Sequence, residues 1–123
     1  MSVSVDVSQS FTCDVHALWK LIGSFYDLKW TGDDPWEFDG IYRTLPEHGM
    51  KEQLVYKGET CYTYKMVEGP FKNFTVTISA AADGAGSVAT YAAVGDLSDE
   101  ERAMVRDGTR ELLAALAATR PSN

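Results

Sequence analysis

Two cysteines and two histidines are all that the 123 residues offer as thiol or imidazole ligands. Cys13, Cys61, His16 and His48 stand at no metal-like spacing, so no zinc site is expected. Long apolar runs are missing too: the longest uncharged stretch, residues 84–95, is far short of a membrane span. The first six residues have neither a basic start nor an apolar run, so no export signal is expected. Positive charge is scarce, with 11 Lys and Arg against 18 Asp and Glu, a net charge of −7. A chain this acidic repels phosphate backbones and anionic bilayers, which removes nucleic acid and membrane from the expected partners. The glycines form no phosphate loop and no serine sits in a nucleophile elbow, so no cofactor is expected. Without an export signal, the two cysteines read most simply as free thiols of a cytoplasmic protein.

What is present is an ordinary globular composition, 45% hydrophobic and 24% charged. The length fits a single domain over residues 1–123. In residues 2–12, Val3, Val5, Val7, Gln9 and Phe11 share one face and Ser2, Ser4, Asp6, Ser8 and Ser10 the other, the pattern of a half-buried strand. Thr12 or Asp14 can cap a short helix over residues 15–22, where Val15, Leu18, Trp19 and Ile22 fall at helical spacing before Gly23. A second short helical turn is expected over residues 24–28, then an irregular stretch over 30–39. Strands are expected at 41–45, 50–56, 60–68, 74–80 and 87–94, separated by residues that supply positive φ or preset a turn. Ser98 and Glu101 form a capping box. Met104, Val105, Gly108, Leu112, Ala115 and Leu116 then recur as one helical stripe. A helix with such a stripe needs a sheet to bury it, so the expected class is α+β. A twisted antiparallel sheet wrapped around one helix leaves a hollow, closed at one end by the short helices. Gly108 costs about 1 kcal/mol against Ala, and it makes room either for a strand or for a ligand.

Turn lengths fix an expected register. A four-residue turn at 46–49 pairs Leu45 with Met50, so Arg43 faces Glu52. A three-residue turn at 57–59 pairs Tyr56 with Thr60, so Glu52 faces Tyr64. A five-residue loop at 69–73 then sets Tyr64 against Ile78. One face carries Ile41, Leu45, Met50, Leu54, Tyr56, Met66, Phe74, Val76 and Ile78, and Arg43, Glu52, Tyr62 and Tyr64 lie among them. A buried charge needs a partner, and Arg43 lets Glu52 stay ionised on this apolar wall. A carboxylate so held can act as a general base, while Tyr64 or Tyr62 donates to a substrate oxygen. The alternative is a cross-strand ion pair that does no chemistry. Trp30 and Trp36 flank the mouth as core, lid or aromatic walls for a planar ligand. The face of Tyr91 is open. Asp33 and Asp34 read as a solvated loop or a cation site, and His16 and His48 as exposed.

Several pieces of the sequence carry a further pattern: D-V-H-A-L-W-K-L-I-G-S-F at residues 14–25 followed by Trp30, D-G-I-Y-R at 39–43, E-Q-L at 52–54, Y-T-Y at 62–64, and the capped C-terminal helix. Together they resemble the START-type, birch-pollen-allergen-like (SRPBCC) superfamily, in its polyketide cyclase/dehydrase and lipid-transport branch. The resemblance implies a helix-grip fold, with a twisted antiparallel sheet of about seven strands wrapped around a long C-terminal helix and two short helices after strand 1. It implies a hydrophobic small-molecule substrate or ligand, for which Trp30, Trp36, Tyr62, Met66, Tyr91, Met104 and Gly108 are the candidate contacts. The enzymes of that branch imply cofactor-independent cyclisation, dehydration or isomerisation of a polyketide-like or aromatic substrate. Glu52, Arg43 and Tyr64 are then the candidate acid–base groups. Its carriers and sensors imply binding alone, by a monomer or a homodimer.

Overall fold

The computed structural model describes residues 2–32 and 35–119. Asp33 and Asp34, for which a cation was one reading, lie outside the described residues. In chain order the elements are β1 (Val3–Phe11), α1 (Val15–Ile22), a 3₁₀ turn (Lys29–Thr31), β2 (Glu37–Asp39) and β3 (Tyr42–Leu45). A second 3₁₀ turn (Pro46–His48), β4 (Met50–Lys57), β5 (Cys61–Glu68), β6 (Lys72–Asp83), β7 (Gly86–Asp96) and α2 (Asp99–Thr119) follow among the described residues. The seven strands form one antiparallel sheet in the order β1-β7-β6-β5-β4-β3-β2. The class is therefore α+β, with a long C-terminal helix. That helix packs along β1, where Arg102 Nε donates to the Ser4 carbonyl at 3.0 Å. Among the described residues no helix is long and apolar enough to cross a membrane.

Local chemistry explains where the helices begin and end. Asp14 Oδ1 accepts the Ala17 N–H at 2.8 Å and opens α1. Gly23 closes it by donating to the Trp19 carbonyl at 2.8 Å. A Cβ at Gly23 would sit 2.4 Å from the Trp19 ring, so only glycine fits this close approach. The capping box of α2 forms reciprocally: Glu101 N–H donates to Ser98 Oγ at 3.1 Å and Ser98 N–H to Glu101 Oε1 at 2.9 Å.

The second short helix is not where the sequence suggested. In residues 24–28, Ser24 Oγ accepts the Tyr26 N–H and Asp27 Oδ1 accepts the Lys29 N–H. Such side-chain acceptors offer the backbone an alternative to helix, and the one helical turn falls later, at Lys29–Thr31. The stretch read as irregular also holds β2, a three-residue strand too short to show alternation.

The helical stripe is rotated from its expected position. The buried residues of α2 are Leu113 and Leu116, with Val105, Thr109 and Leu112 partly buried beside them. At about 100° per residue, Thr109 lies between Val105 and Leu113 on this face, while Met104 and Gly108 fall on its far shoulder. Met104 is accordingly 59% exposed. Gly108 is exposed with nothing within 4 Å of its Cβ position, so no strand packs against it. Gly108→Ala should therefore stabilise the protein by up to about 1 kcal/mol. Thermal unfolding would measure the gain, and ligand affinity should not move.

The register holds between β3 and β4, where Arg43 faces Glu52 and Leu45 faces Met50. Beyond that it shifts by two. Leu54 faces Tyr64 and Glu52 faces Met66, with irregularities at Lys51/Glu52 and Leu54/Tyr56. Tyr64 faces Val76, and Ile78 faces Tyr62. The hairpin closes through the Gly58 N–H on the Cys61 carbonyl, further along the chain than the expected Tyr56–Thr60 pair. A shift of two residues preserves the face, so Tyr62, Tyr64, Phe74, Val76 and Ile78 are all buried as expected. The bulge after Leu54 adds one residue and turns the end of β4 to the opposite face. Tyr56 consequently pairs with Thr63 and is 58% exposed, against expectation. Ile41 precedes β3 and is also exposed. Cys13 is buried, Cys61 is partly exposed, and both are free thiols.

Candidate functional site

Arg43 is the largest side chain that the core encloses, and it is 2% exposed. Its Nε donates to Glu52 Oε1 at 2.7 Å and one terminal nitrogen donates to the Phe25 carbonyl at 2.9 Å. The guanidinium lies 4.3 Å from the Phe25 ring centroid and 4.4 Å from that of Tyr64, with Trp36 and Tyr62 further out. Aromatic faces at this range attract a cation strongly once water is removed. Burial works against the charge, but Glu52 and the neighbouring tyrosine oxygens outweigh it and hold the guanidinium above its usual value. β3 supplies Arg43 and β4 supplies Glu52, on directly opposed positions of one ladder.

Beside this pair lies a cavity of about 150 Å³. Arg43, Glu52 and Tyr64 contribute to its sheet wall, and Tyr91 and Ile78 extend it. Thr109 and Leu112 of α2 face them. Trp30, Thr31, Leu28 and Trp36 close the remaining side, with Met50 at the rim of β4. Tyr91 is on the inner face, opposed to Ile78 and Val7, which answers the question its sequence position left open. Burial pushes the Tyr64 hydroxyl well up from the usual tyrosine range, and nearby Tyr91 and Glu52 push it the same way. Tyr91 is raised as well, first by burial and then by Glu52, against the help of the Tyr64 and Thr109 hydroxyls. Burial thus favours the neutral phenol at both positions.

The structure thus brings together Arg43, Glu52, Tyr64, Trp30, Trp36 and Tyr91 around one cavity. Four other candidates are placed elsewhere. Tyr62 is buried behind the wall, edge-on to Phe25 and tilted against Tyr64, with its hydroxyl close to the Arg43 guanidinium. Met66 opposes Glu52 across the ladder but lines a shallow groove with Gln53 and Lys65 instead of the cavity. Met104 and Gly108 lie on the exposed side of α2, because the stripe is rotated. Sequence reasoning missed Thr109, Thr31 and Leu28. Thr109 had a signal, since it stands four residues after Val105 and four before Leu113; its hydroxyl excluded it from a search for apolar residues. Leu28 and Thr31 sit in a segment with no periodicity to read. Among the described residues, no group of three His, Cys, Asp or Glu could hold a metal ion.

No protein-family model matches the chain. No curated protein sequence matches it either. Solved structures do. A protein of Bacillus thuringiensis superposes with a TM-score of 0.82 at 23% identity, covering 94% of this chain and 97% of that one. CalU16 of Micromonospora echinospora gives a TM-score of 0.77 at 12% identity, over 95% of this chain and 75% of that one. Ara h 8.0201 gives 0.69 at 15% identity, over 96% of this chain and 97% of that one. At identities this low the likeness shows the fold alone.

Proposed function

For a chain with the helix-grip fold of the START-type, birch-pollen-allergen-like superfamily, we propose acid–base catalysis on a small hydrophobic molecule held in the cavity beside Glu52. One observation carries this reading. A carboxylate 3% exposed stands on the cavity wall, charge-balanced by Arg43, with the Tyr64 and Tyr91 hydroxyls on the same wall. A pure carrier of apolar ligands needs little beyond an apolar lining. Glu52 would accept a proton from carbon next to a substrate carbonyl, and Tyr64 would donate a hydrogen bond to the carbonyl oxygen as it gains charge. Returning the proton to another carbon gives isomerisation; delivering it to a departing hydroxyl gives dehydration. Arg43 also lines the cavity, but its role here is to hold Glu52 through the Nε hydrogen bond, which makes it a positioning residue. The volume of about 150 Å³ favours a compact aromatic substrate over a polyketide chain, since drug-sized ligands occupy about 300 Å³ or more. The two free thiols support a cytoplasmic setting.

Hydrogen–deuterium exchange tests the chemistry without the natural substrate. In D₂O, the methyl protons of hydroxyacetophenone should exchange faster with the protein than in buffer, as followed by NMR. Binding without acceleration would remove the catalytic reading. It would favour a carrier or sensor, for which the mutual satisfaction of Arg43 and Glu52 is the supporting observation: the pair then braces a cavity that only binds.

A further inference from the structure

The cavity constrains its occupant in size, charge and polarity, and one of its walling indoles, Trp30, also lines two neighbouring spaces. This inference rests on the cavity being a binding site. A cavity of about 150 Å³ lined by apolar side chains accommodates benzene in a protein interior, and the cavity here has about that volume. Arg43 and Glu52 are the charged groups on its described wall, and they neutralise one another at 2.7 Å. An anion would meet Glu52 with no spare cation, and a cation would meet Arg43, so a neutral occupant fits best. Glu52 is an acceptor on that wall, and a carboxylate can take several hydrogen bonds at once, so a hydroxyl on the ligand suits it. On the protein side Tyr64 and Tyr91 line the space, their hydroxyls linked to one another and to Thr109 and kept neutral by burial. The walling indoles of Trp30 and Trp36 each carry a buried N–H with no acceptor among the described residues. A buried donor without a partner is costly, and a ligand oxygen is one way to relieve it.

Trp30 is shared by three spaces. Beyond it lie a small void beside Ile22, Ala89 and Leu113 and an open cleft of about 200 Å³ beside Ala115, Leu116 and Thr119. Trp30 is the residue common to all three, while Ile78, Tyr91 and Thr109 also separate the cavity from the void and Leu112 from the cleft. We infer that the cavity takes a neutral, single-ring compound bearing a hydroxyl and a carbonyl oxygen, and that the Trp30 indole is the wall that sets the one-ring limit.

Calorimetric titration tests this with three probes: hydroxyacetophenone, its two-ring analogue hydroxyacetonaphthone, and hydroxybenzoate at a pH where only the carboxylate is ionised. Wild type should bind hydroxyacetophenone at least about tenfold more tightly than either other probe. Trp30→Ala should reverse the size preference. Trp30→Phe, which keeps most of the wall and is the milder change should the alanine variant not fold, should retain the one-ring preference but narrow it. Equal or tighter binding of the naphthone to wild type would overturn the size limit, and equal binding of hydroxybenzoate would overturn neutrality. An unchanged size preference in folded Trp30→Ala, or an undiminished one in Trp30→Phe, would overturn the role of Trp30. If no probe binds wild type at all, the reading of the cavity as a binding site falls with it, an outcome distinct from wild type binding one ring and two rings alike.

Discussion

Proton exchange catalysed by Glu52→Gln should fall by about 10²- to 10⁴-fold per folded molecule, the usual cost of losing a general base. Glutamine keeps the shape of the side chain and still offers an oxygen to Arg43 Nε, which now lies 2.7 Å from Glu52 Oε1. Arg43 also keeps the Phe25 carbonyl and its surrounding rings, so the guanidinium is not abandoned. The variant should therefore fold, show the wild-type circular dichroism, and bind ligand with affinity changed far less than rate. Exchange at the wild-type rate in a folded, ligand-binding variant would show that Glu52 is not the base.

Arg43→Met acts on stability instead. Methionine fills much of the space between Phe25 and Tyr64 but leaves Glu52 as a carboxylate 3% exposed with its cation gone. Breaking a buried pair in this way costs about 3–5 kcal/mol, readable as a shift in the midpoint of urea unfolding. The Phe25 carbonyl loses its donor at the same time. Combining Arg43→Met with Glu52→Gln should recover a large part of the loss, because the second change removes the stranded charge. A double variant no more stable than Arg43→Met alone would show that the cost lies in packing around the guanidinium and not in the orphaned carboxylate.

The sequence made the face of most strand residues readable, but not their partners. Arg43 and Glu52 were legible because the turn at 46–49 is short and regular, so counting residues across it gives the observed pair. The same counting missed Tyr64 by two positions: the hairpin turns further along the chain and puts the pairing three residues off, the bulge after Leu54 takes one back, and neither leaves a mark in composition. Period-two alternation survives a two-residue slip, which is why Tyr64 was still assigned to the correct wall. Helix α2 failed differently. Its stripe was chosen by apolarity, and a polar residue lining a cavity breaks that criterion; Thr109 is such a residue, and the substitution of Gly108 and Met104 for it rotated the whole face. Leu28 and Thr31 depend on long-range folding of an aperiodic segment, which no local pattern encodes.

The two ends of the sheet bear on how copies of this chain meet. An open antiparallel sheet presents unpaired backbone groups at each border, and strands of other molecules can add there to build aggregates. On the β1 side, α2 lies alongside and Arg102 occupies the Ser4 carbonyl, so an incoming strand would have to displace a side chain that is already hydrogen-bonded. On the β2 side the border is three residues long, and Glu37 and Asp39 flank Phe38 with carboxylates. A second copy approaching there would bring the same two negative charges, and the run is too short to repay the repulsion with ladder bonds. Raising the salt concentration screens that repulsion, so any strand-by-strand polymerisation should start at this acidic border and quicken with ionic strength.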